Sequence, residues 1–425
     1  MTIIADLSGR EILDSRGRPT VEAKCLLASG ATGIASVPSG ASTGSAEAWE
    51  LRDGDAARYR GLGCRRAVGN INRTIRGALV GQRIGDQAAL DGMLVQLDGD
   101  ANKAGLGANA ILAVSLAFAR AAAAEQKVPL YQYLSEVVDV PLRTLPRLTV
   151  NLFSGGKHAG GQIPIQDVLV VPSAAVTIDE SLAMVFAVYQ AAAELVNEKY
   201  AMRALTADEG GLAPPFPDVE TMLSDAVAAI RAAGFEPGRD VALALDVAAS
   251  HFFHAGHYHL GDAPLSGAAM IDKLESWLAH FPIVSMEDGL AEEDWQHWTL
   301  LQERVGSRTL VLGDDLLCTN PLRTARAIET RAANALLLKV NQIGTLSEAA
   351  QTLQLARSAG WKVTISARSG ETEDHWLADL AVGWGGDQIK VGSIRQSERL
   401  AKYNRLLAIE AETQLPLVDW PKSRD

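Results

Sequence analysis

Hydrophobic and polar positions near the start of the chain alternate as they do in a β-strand. Val21, Ala23, Cys25 and Leu27 take one side of the alternation, and the turn-forming residues 17–19 precede them. Alternation with a period of two is typical of a strand that buries one of its faces. We therefore predict β-strands in the N-terminal part of the chain.

A helical pattern follows these strands. From about Ala108 the apolar residues Ile111, Leu116 and Ala119 recur at the spacing of one helix face. Strands followed by helices predict a small α+β domain, which we place at residues 1–135.

The pattern changes after a connector that contains Pro141 and Pro146. From Leu148 onward, short apolar runs alternate with segments of amphipathic helical spacing. Strands and helices that alternate in this way predict a parallel sheet with helices packed outside it. We predict that residues 136–425 form one barrel domain.

Several of the apolar runs end in polar residues that can do chemistry. These residues are Asp246, Glu287, Asp314, Lys339, Arg368 with Ser369, and Lys390. In a barrel of parallel strands such ends converge on one mouth, where the active site lies. The predicted fold class is therefore α/β, a (β/α)8 TIM-type barrel with a smaller N-terminal α+β domain.

Charge and cysteine content narrow the class of protein. The 425 residues include 39 Lys and Arg against 51 Asp and Glu, and the formal net charge of −12 would repel a nucleic-acid backbone. The three cysteines are widely spaced and odd in number, which favours a reducing compartment over a disulfide framework.

Two observations argue against a membrane partner. The charged residues Asp6, Arg10 and Glu11 interrupt the N-terminal segment, so we expect no signal peptide there. The longest apolar stretch, Ala110–Ala119, is shorter than the roughly 18 to 20 residues that span a bilayer. We expect a cytoplasmic protein that binds neither membrane nor nucleic acid.

Carboxylates and a lysine at the predicted mouth indicate metal-assisted proton transfer. Asp246, Glu287 and Asp314 form an all-oxygen set, and with water and substrate completing an octahedron the natural cation is Mg²⁺. Lys339 ends an apolar run beside these charges. Burial near cations lowers the pKa of an ammonium, so we predict that Lys339 is a general base.

Long motifs, in the same order along nearly the whole chain, resemble the enolase family. They are Gly9-Arg-Glu-Ile-Leu-Asp-Ser-Arg-Gly, Val37-Pro-Ser-Gly-Ala-Ser-Thr-Gly, Glu50-Leu-Arg-Asp-Gly-Asp, Gly107-Ala-Asn-Ala-Ile-Leu, Asp208-Glu-Gly-Gly, Lys339-Val-Asn-Gln-Ile-Gly-Thr-Leu and Ser369-Gly-Glu-Thr-Glu-Asp. The resemblance implies a hydro-lyase that dehydrates 2-phosphoglycerate to phosphoenolpyruvate. It also implies a homodimer or higher homo-oligomer.

The resemblance further implies two Mg²⁺ ions. Asp246, Glu287 and Asp314 would hold the first ion. Ser42, on the glycine-containing loop 39–44, would help to hold the second ion after the substrate binds.

The resemblance assigns the catalytic roles to four positions. Lys339 would be the base, and Glu209 would be the acid that protonates the departing hydroxide. His158 would close over the ligand, and Asp167 would support the acid. The residues implied to bind the substrate are Arg368 and Ser369 at the phosphate, Lys390 at the carboxylate, and Gln166, which precedes Asp167 in the pair that supports the acid.

The chain departs from the family pattern where the phosphate and the leaving group would lie. Ala367 stands where the family has histidine, Asp167 where it has glutamate, and Ser154 where it has asparagine. Lys157 adds a positive charge beside His158, and we include it among the candidate substrate-binding residues.

Three interpretations of these departures stay open. The chain is an enolase that has drifted, or it is a specialised paralogue in which Ala367 and Lys157 admit a larger anion. Such an anion would be a phosphonate or carboxylated phosphonate, for example one that yields carboxyphosphonoenolpyruvate in natural-product biosynthesis. A non-catalytic binding protein is the least favoured, because a buried carboxylate cluster without a cation is costly.

Overall fold

The computed structural model of the chain describes residues 2–41, 43–201 and 205–421. The N-terminal strands are β1 (Thr2–Leu13), β2 (Pro19–Leu27), β3 (Thr32–Ser36) and β4 (Arg83–Ile84). They form a sheet in the order β3–β2–β1–β4. The helices of this part are α1 (Arg65–Asn70), α2 (Arg76–Leu79), α3 (Gln87–Asp98), α4 (Ala108–Gln126) and α5 (Leu130–Val138), with a π-helical turn at Ile71–Ile75 between the first two.

The alternating residues of β2 form the inner face of this sheet. Val21, Ala23 and Cys25 are fully or almost fully buried, and β2 and β3 both pack against α4. Gly33 allows β3 to come close to the helix, since a Cβ at this position would lie 2.0 Å from the carbonyl oxygen of Ala117. The predicted α+β arrangement is therefore present.

Helix α4 is longer than the apolar stretch seen in the sequence. It has 19 residues and a mean hydropathy of 1.3, enough by length and composition to cross a membrane. Within the protein, however, 83% of its apolar window is buried. Its apolar surface is thus covered by the domain that surrounds it.

A closed barrel of eight strands follows in the described part of the chain, in the cyclic order β10–β11–β12–β13–β14–β5–β6–β7. The strands of this half, including the hairpin β8–β9, are β5 (Arg147–Ser154), β6 (Asp167–Val171), β7 (Ala242–Asp246), β8 (Phe253–His254), β9 (His257–Tyr258), β10 (Ile283–Glu287), β11 (Leu310–Gly313), β12 (Ala335–Leu338), β13 (Lys362–Ser366) and β14 (Gln388–Gly392). The helices are α6 (Ile178–Tyr200), α7 (Val219–Ala232), α8 (Gly267–His280), α9 (Trp295–Val305), α10 (Pro321–Thr330), α11 (Leu346–Ser358), α12 (Trp376–Gly383) and α13 (Ser397–Thr413).

One strand of the barrel runs against the others. β6 is antiparallel to both β5 and β7, whereas the remaining strand pairs are parallel. The connection from β5 to β6 holds a short 3-10 turn at Gly156–His158 rather than an α-helix, and a short connection suits an antiparallel pair. As a result the first residue of β6, Asp167, lies at the mouth where the other strands end.

Capping residues fix where the barrel helices begin. Thr177, Asp218, Ser266 and Thr345 each accept a hydrogen bond from the backbone N–H three residues further on. This bond satisfies one of the free N–H groups of the first helical turn. The caps thereby set the lengths of the loops that precede the helices.

Candidate active site

The carboxylates predicted to bind metal lie at the mouth of the barrel. Asp246 and Glu287 are the last residues of β7 and β10 and are paired in register, and Asp314 directly follows β11. All three side chains are buried. Neighbouring strands that end at the same level therefore bring these acids to one mouth, but the three together are not among the groups of described residues whose ligand atoms lie within 4.8 Å of one another.

Lys390 differs from the other predicted positions because it lies inside its strand. The sequence predicts Lys390 at the end of its strand, but β14 continues two residues further, to Gly392. The Lys390 Nζ lies 2.7 Å from Asp246 Oδ2 and 2.7 Å from Glu287 Oε2. The ammonium group thus bridges two of the predicted metal ligands.

Asp314 has different partners. Its Oδ2 forms a short ion pair with the Nζ of Lys339, and its Oδ1 accepts from Gln342 Nε2 at 2.8 Å. Its backbone N–H donates to Asp288 Oδ1 at 3.0 Å. Within the described residues, the groups whose ligand atoms lie within 4.8 Å of one another are Asp288, Asp314 and Asp315, and His158, Asp167 and Glu209.

The predicted ligand set fits a divalent cation by its chemistry. Glu287 Oε1 is buried and has no hydrogen-bond partner in the described structure. Burial, and after it the charge of Asp246, hold the pKa of Glu287 well above its usual value. A hard cation would satisfy this oxygen and balance the excess negative charge, and carboxylate oxygens are its preferred ligands.

His158 lies between two carboxylates. Its Nδ1 is 2.8 Å from Asp167 Oδ2, and its Nε2 is 3.6 Å from Glu209 Oε1. Burial lowers the pKa of the imidazole, but Asp167 and Glu209 outweigh this effect and raise the pKa to about 9. His158 is therefore protonated at neutral pH.

Glu209 is the ionised partner of this histidine. Burial raises the pKa of its carboxyl group, but His158 and then Arg399 oppose it and hold the pKa below its usual value. Asn151 Nδ2 donates to Glu209 Oε2 at 3.1 Å and stabilises the carboxylate. The proton of this pair thus lies on His158.

The surroundings of Lys339 raise the pKa of its ammonium group. Burial lowers this pKa and is the largest single effect, but the carboxylates of Asp314 and then Glu287 together outweigh it. The prediction of a lowered pKa is wrong for this arrangement, because an anion and not a cation is the nearest charge.

The residues predicted to bind phosphate are held by the N-terminal domain. Arg368 forms a two-point ion pair with Glu47, with N···O distances of 3.0 and 3.1 Å. Arg16 Nη1 donates to Ser369 Oγ at 3.0 Å. Neither Arg16 nor Glu47 is among the site residues predicted from the sequence, although Arg16 lies within the first enolase-like motif and Glu47 lies three residues beyond the second.

Three predicted positions remain, and the structure places them differently relative to the buried charged residues of the mouth. Gln166 Nε2 donates to Asp246 Oδ2 at 2.9 Å and so contacts a predicted metal ligand. Lys157 is exposed, next to the buried His158. Ser42 lies outside the described residues.

These side chains enclose a small polar cavity. The volume of this cavity is about 10 Å³. Because a phosphorylated acid is far larger than one water molecule, some ion pairs must open before such a ligand enters. The lining residues are Ala41, His158, Gln166, Glu209, Asp246, Lys339, Ser366, Ala367, Arg368, Ser369 and Lys390.

A closed barrel with buried acids, lysines and a protonated histidine at its mouth defines a barrel enzyme that performs acid–base chemistry. Residues 4–134 match the family described as Enolase, N-terminal domain, and residues 142–415 match Enolase, C-terminal TIM barrel domain. The chain belongs to the enolase family. The predicted family and fold class are confirmed, and membership makes the chain a lyase-type enzyme of the enolase superfamily.

Proposed function

We propose that the protein is a Mg²⁺-dependent hydro-lyase that converts 2-phosphoglycerate to phosphoenolpyruvate, a reaction of glycolysis. The observation that supports this most is the joint burial, at one mouth, of Lys339, protonated His158 and an excess of carboxylates. Removal of a proton next to a carboxylate, followed by loss of hydroxide, requires a base, an acid and a positive counter-charge.

Lys339 takes the α-proton in this proposal. Its amine reaches the substrate from the mouth once its ion pair with Asp314 opens. Asp246, Glu287 and Asp314 would hold one Mg²⁺, and Ser42 would contribute to a second. Bound there, Mg²⁺ supplies Lewis-acid stabilisation of the negative charge on the substrate carboxylate.

His158 and Glu209 together supply the proton for the departing hydroxide. His158 holds that proton in the resting site, with its Nε2 3.6 Å from Glu209 Oε1. Asp167 fixes the imidazole from the opposite side and keeps it charged. The imidazolium passes this proton to Glu209 when the two groups approach to hydrogen-bond distance, and Glu209 passes it on to the departing hydroxide.

Cationic side chains bind the two ends of the substrate. Lys390 already bridges two carboxylates and is placed to pair with the carboxylate of the substrate. Arg368 and Ser369 receive the phosphate, which replaces Glu47 at the guanidinium.

A second candidate function is dehydration of a phosphonate or carboxylated phosphonate. Ala367 lines the cavity directly beside Arg368 and Ser369, so the phosphate side has space where a larger residue would fill it. The exposed Lys157 adds a positive charge near His158 for an additional anionic group. Both candidates share the same proton transfers.

We also propose that the protein is cytoplasmic and forms a homodimer or higher homo-oligomer that acts on a small anionic substrate. Family membership supports the assembly by analogy. Light scattering of the purified protein tests the assembly, and a mass of about 45 kDa, that of one chain, would contradict it.

The first experiment is a direct assay. Purified protein, Mg²⁺ and 2-phosphoglycerate are mixed, and the ultraviolet absorbance of the enol product is followed. We expect turnover that chelation abolishes, and we expect Asp246→Ala to lose Mg²⁺-dependent substrate binding by calorimetry. Undiminished binding in this variant would remove Asp246 from the metal site, and absence of turnover in the native protein would favour the phosphonate substrate.

A further inference from the structure

A chain of buried hydrogen bonds connects Lys339 to Asp314 by a second route, apart from their direct ion pair. The backbone N–H of Lys339 donates to Thr319 Oγ1 at 2.9 Å, and Thr319 Oγ1 donates to Gln342 Oε1 at 2.7 Å. Gln342 Nε2 then donates to Asp314 Oδ1 at 2.8 Å. Thr319 and Gln342 are both fully buried.

Only one assignment of donors and acceptors is consistent with this series of hydrogen bonds. A backbone N–H always donates, so Thr319 Oγ1 accepts from Lys339 and its single hydrogen is left for Gln342 Oε1. With its oxygen engaged, the amide of Gln342 presents its NH₂ group to Asp314, and a carboxylate can only accept. Thr319 therefore sets the orientation of the amide that contacts Asp314.

The backbone around Thr319 is held in an unusual conformation. The φ angles of Cys318 and Thr319 are 47° and 49°, in the left-handed region that β-branched residues rarely adopt. Thr352 Oγ1 donates to the Thr319 carbonyl at 2.8 Å and helps to hold this turn. Conformations of this kind persist where the surroundings enforce them, often at functional sites.

Gln342 also reaches the N-terminal domain. Its backbone carbonyl oxygen accepts a hydrogen bond from the backbone N–H of Ala48 at 2.7 Å, and its side-chain Nε2 lies 3.5 Å from Glu47 Oε1. Glu47 in turn holds the guanidinium of Arg368. One side chain thus contacts both the carboxylate on the metal side and the partner of the arginine on the phosphate side.

We propose that Thr319 and Gln342 are positioning residues that hold the carboxylate of Asp314 in the orientation required to bind a divalent metal ion. The inference rests on the proposed function, in which Asp314 is a Mg²⁺ ligand. Mg²⁺ demands near-octahedral geometry, so a carboxylate that rotates freely binds it less tightly. Hydrogen bonds behind a ligand commonly control metal affinity in this way.

Calorimetric titration of the full-length protein with Mg²⁺ alone tests the proposal without any turnover. Thr319→Val removes the hydroxyl at nearly constant volume, and we expect it to weaken Mg²⁺ binding by about tenfold or more. Thr319→Ser keeps the hydroxyl and should restore the native affinity. Thr324→Val removes an equally buried hydroxyl that has no hydrogen-bond partner in the described structure, and it should bind Mg²⁺ as the native protein does.

A double-mutant cycle separates positioning from a general loss of packing. If Thr319 acts through Gln342, then Gln342→Leu weakens Mg²⁺ binding at least as much as Thr319→Val, and the double variant is no weaker than Gln342→Leu alone. Additive losses, or native affinity in Thr319→Val, would overturn the proposal.

Two further outcomes are decisive. If Thr319→Val does not fold, native Mg²⁺ affinity in Gln342→Leu overturns the proposal by itself. If the native protein binds no Mg²⁺, the proposed function fails and this inference fails with it, whereas native binding with unaffected variants refutes the positioning role alone.

Discussion

The guanidinium of Arg368 and the carboxylate of Glu47 form a two-point ion pair between the barrel and the N-terminal domain, with N···O distances of 3.0 and 3.1 Å. Both side chains are largely buried, at 2% and 10% exposure. Glu47 thus occupies the guanidinium of Arg368, which the resemblance to enolases assigns to the phosphate of the substrate. In the proposed function, substrate binding at Arg368 is therefore an exchange of one anion for another.

The first prediction follows from this exchange. Glu47→Gln removes the carboxylate that pairs with the buried Arg368 at two points, so we expect inorganic phosphate to bind more tightly there. The expected change in its inhibition constant is about tenfold, which corresponds to about 1.4 kcal/mol. Glu50→Gln is a matched control, since Glu50 pairs with Arg52 on the same segment. Weaker phosphate binding in Glu47→Gln would show that Glu47 supports the anion site instead of competing for it.

The second prediction separates the two proton transfers. Lys339→Ala should stop exchange of the substrate α-proton with solvent, because it removes the base. Glu209→Gln should allow this exchange and block loss of hydroxide, because proton delivery to the leaving group is interrupted. Nuclear magnetic resonance of the substrate in deuterated water measures the exchange. Exchange at the native rate in both variants would refute the assignment of Lys339.

The third prediction concerns the charge of His158. Asp167→Asn removes the carboxylate 2.8 Å from Nδ1, so the pKa of His158 should fall from about 9. A pH titration of the histidine ring signals measures the shift, and the spectrum of His158→Gln assigns the signal. An unchanged pKa would show that Glu209 alone keeps the imidazole charged.

The raised pKa of His158 should also make the free energy of unfolding depend on pH. Because the pKa of His158 is raised on folding, its contribution to stability is complete below about pH 6.5 and is lost as the pH rises through about 9. Urea unfolding of the native protein should therefore show a decline over this interval, and the decline should be smaller in Asp167→Asn. An equal decline in both proteins would place its origin elsewhere.

Much of this architecture was predictable because periodicity reflects local physics. The buried run that ends at Asp246 and the helical spacing from Ala108 each depend on which face of an element is covered, and the sequence displays that pattern directly. The reversal of β6 was not predictable in this way. Its direction depends on the short turn at Gly156–His158, which has no amphipathic pattern of its own.

The partners of the charged residues also could not be predicted from the pattern of the sequence. The Lys390 bridge, the Glu47 contact and the Thr319 hydroxyl each join segments that lie far apart along the chain. Charges at strand ends predict a common mouth, but the pairing among them is decided by side-chain packing in three dimensions. For the same reason the raised pKa of Lys339 could not be predicted from the sequence, because it depends on how close the carboxylate of Asp314 lies.

The last prediction concerns Ala367, which is buried and lines the cavity beside Arg368 and Ser369. If the protein is an enolase that has drifted, Ala367→His adds a hydrogen-bond donor near the phosphate and should raise kcat/KM for 2-phosphoglycerate. If the protein is specialised for a larger anion, the imidazole fills space that the substrate needs. The variant would then stay a poor enolase and bind its own substrate less tightly.

Lys157→Ala separates the two cases further, because Lys157 is exposed and its truncation should leave the fold intact. A substrate with an extra negative charge would lose a charge-assisted contact in this variant, whereas 2-phosphoglycerate would lose none. The measurement is kcat/KM for 2-phosphoglycerate in the native protein and in both variants. Efficient native turnover that neither substitution changes would contradict the specialised substrate, since then neither the space at Ala367 nor the charge at Lys157 serves a larger ligand.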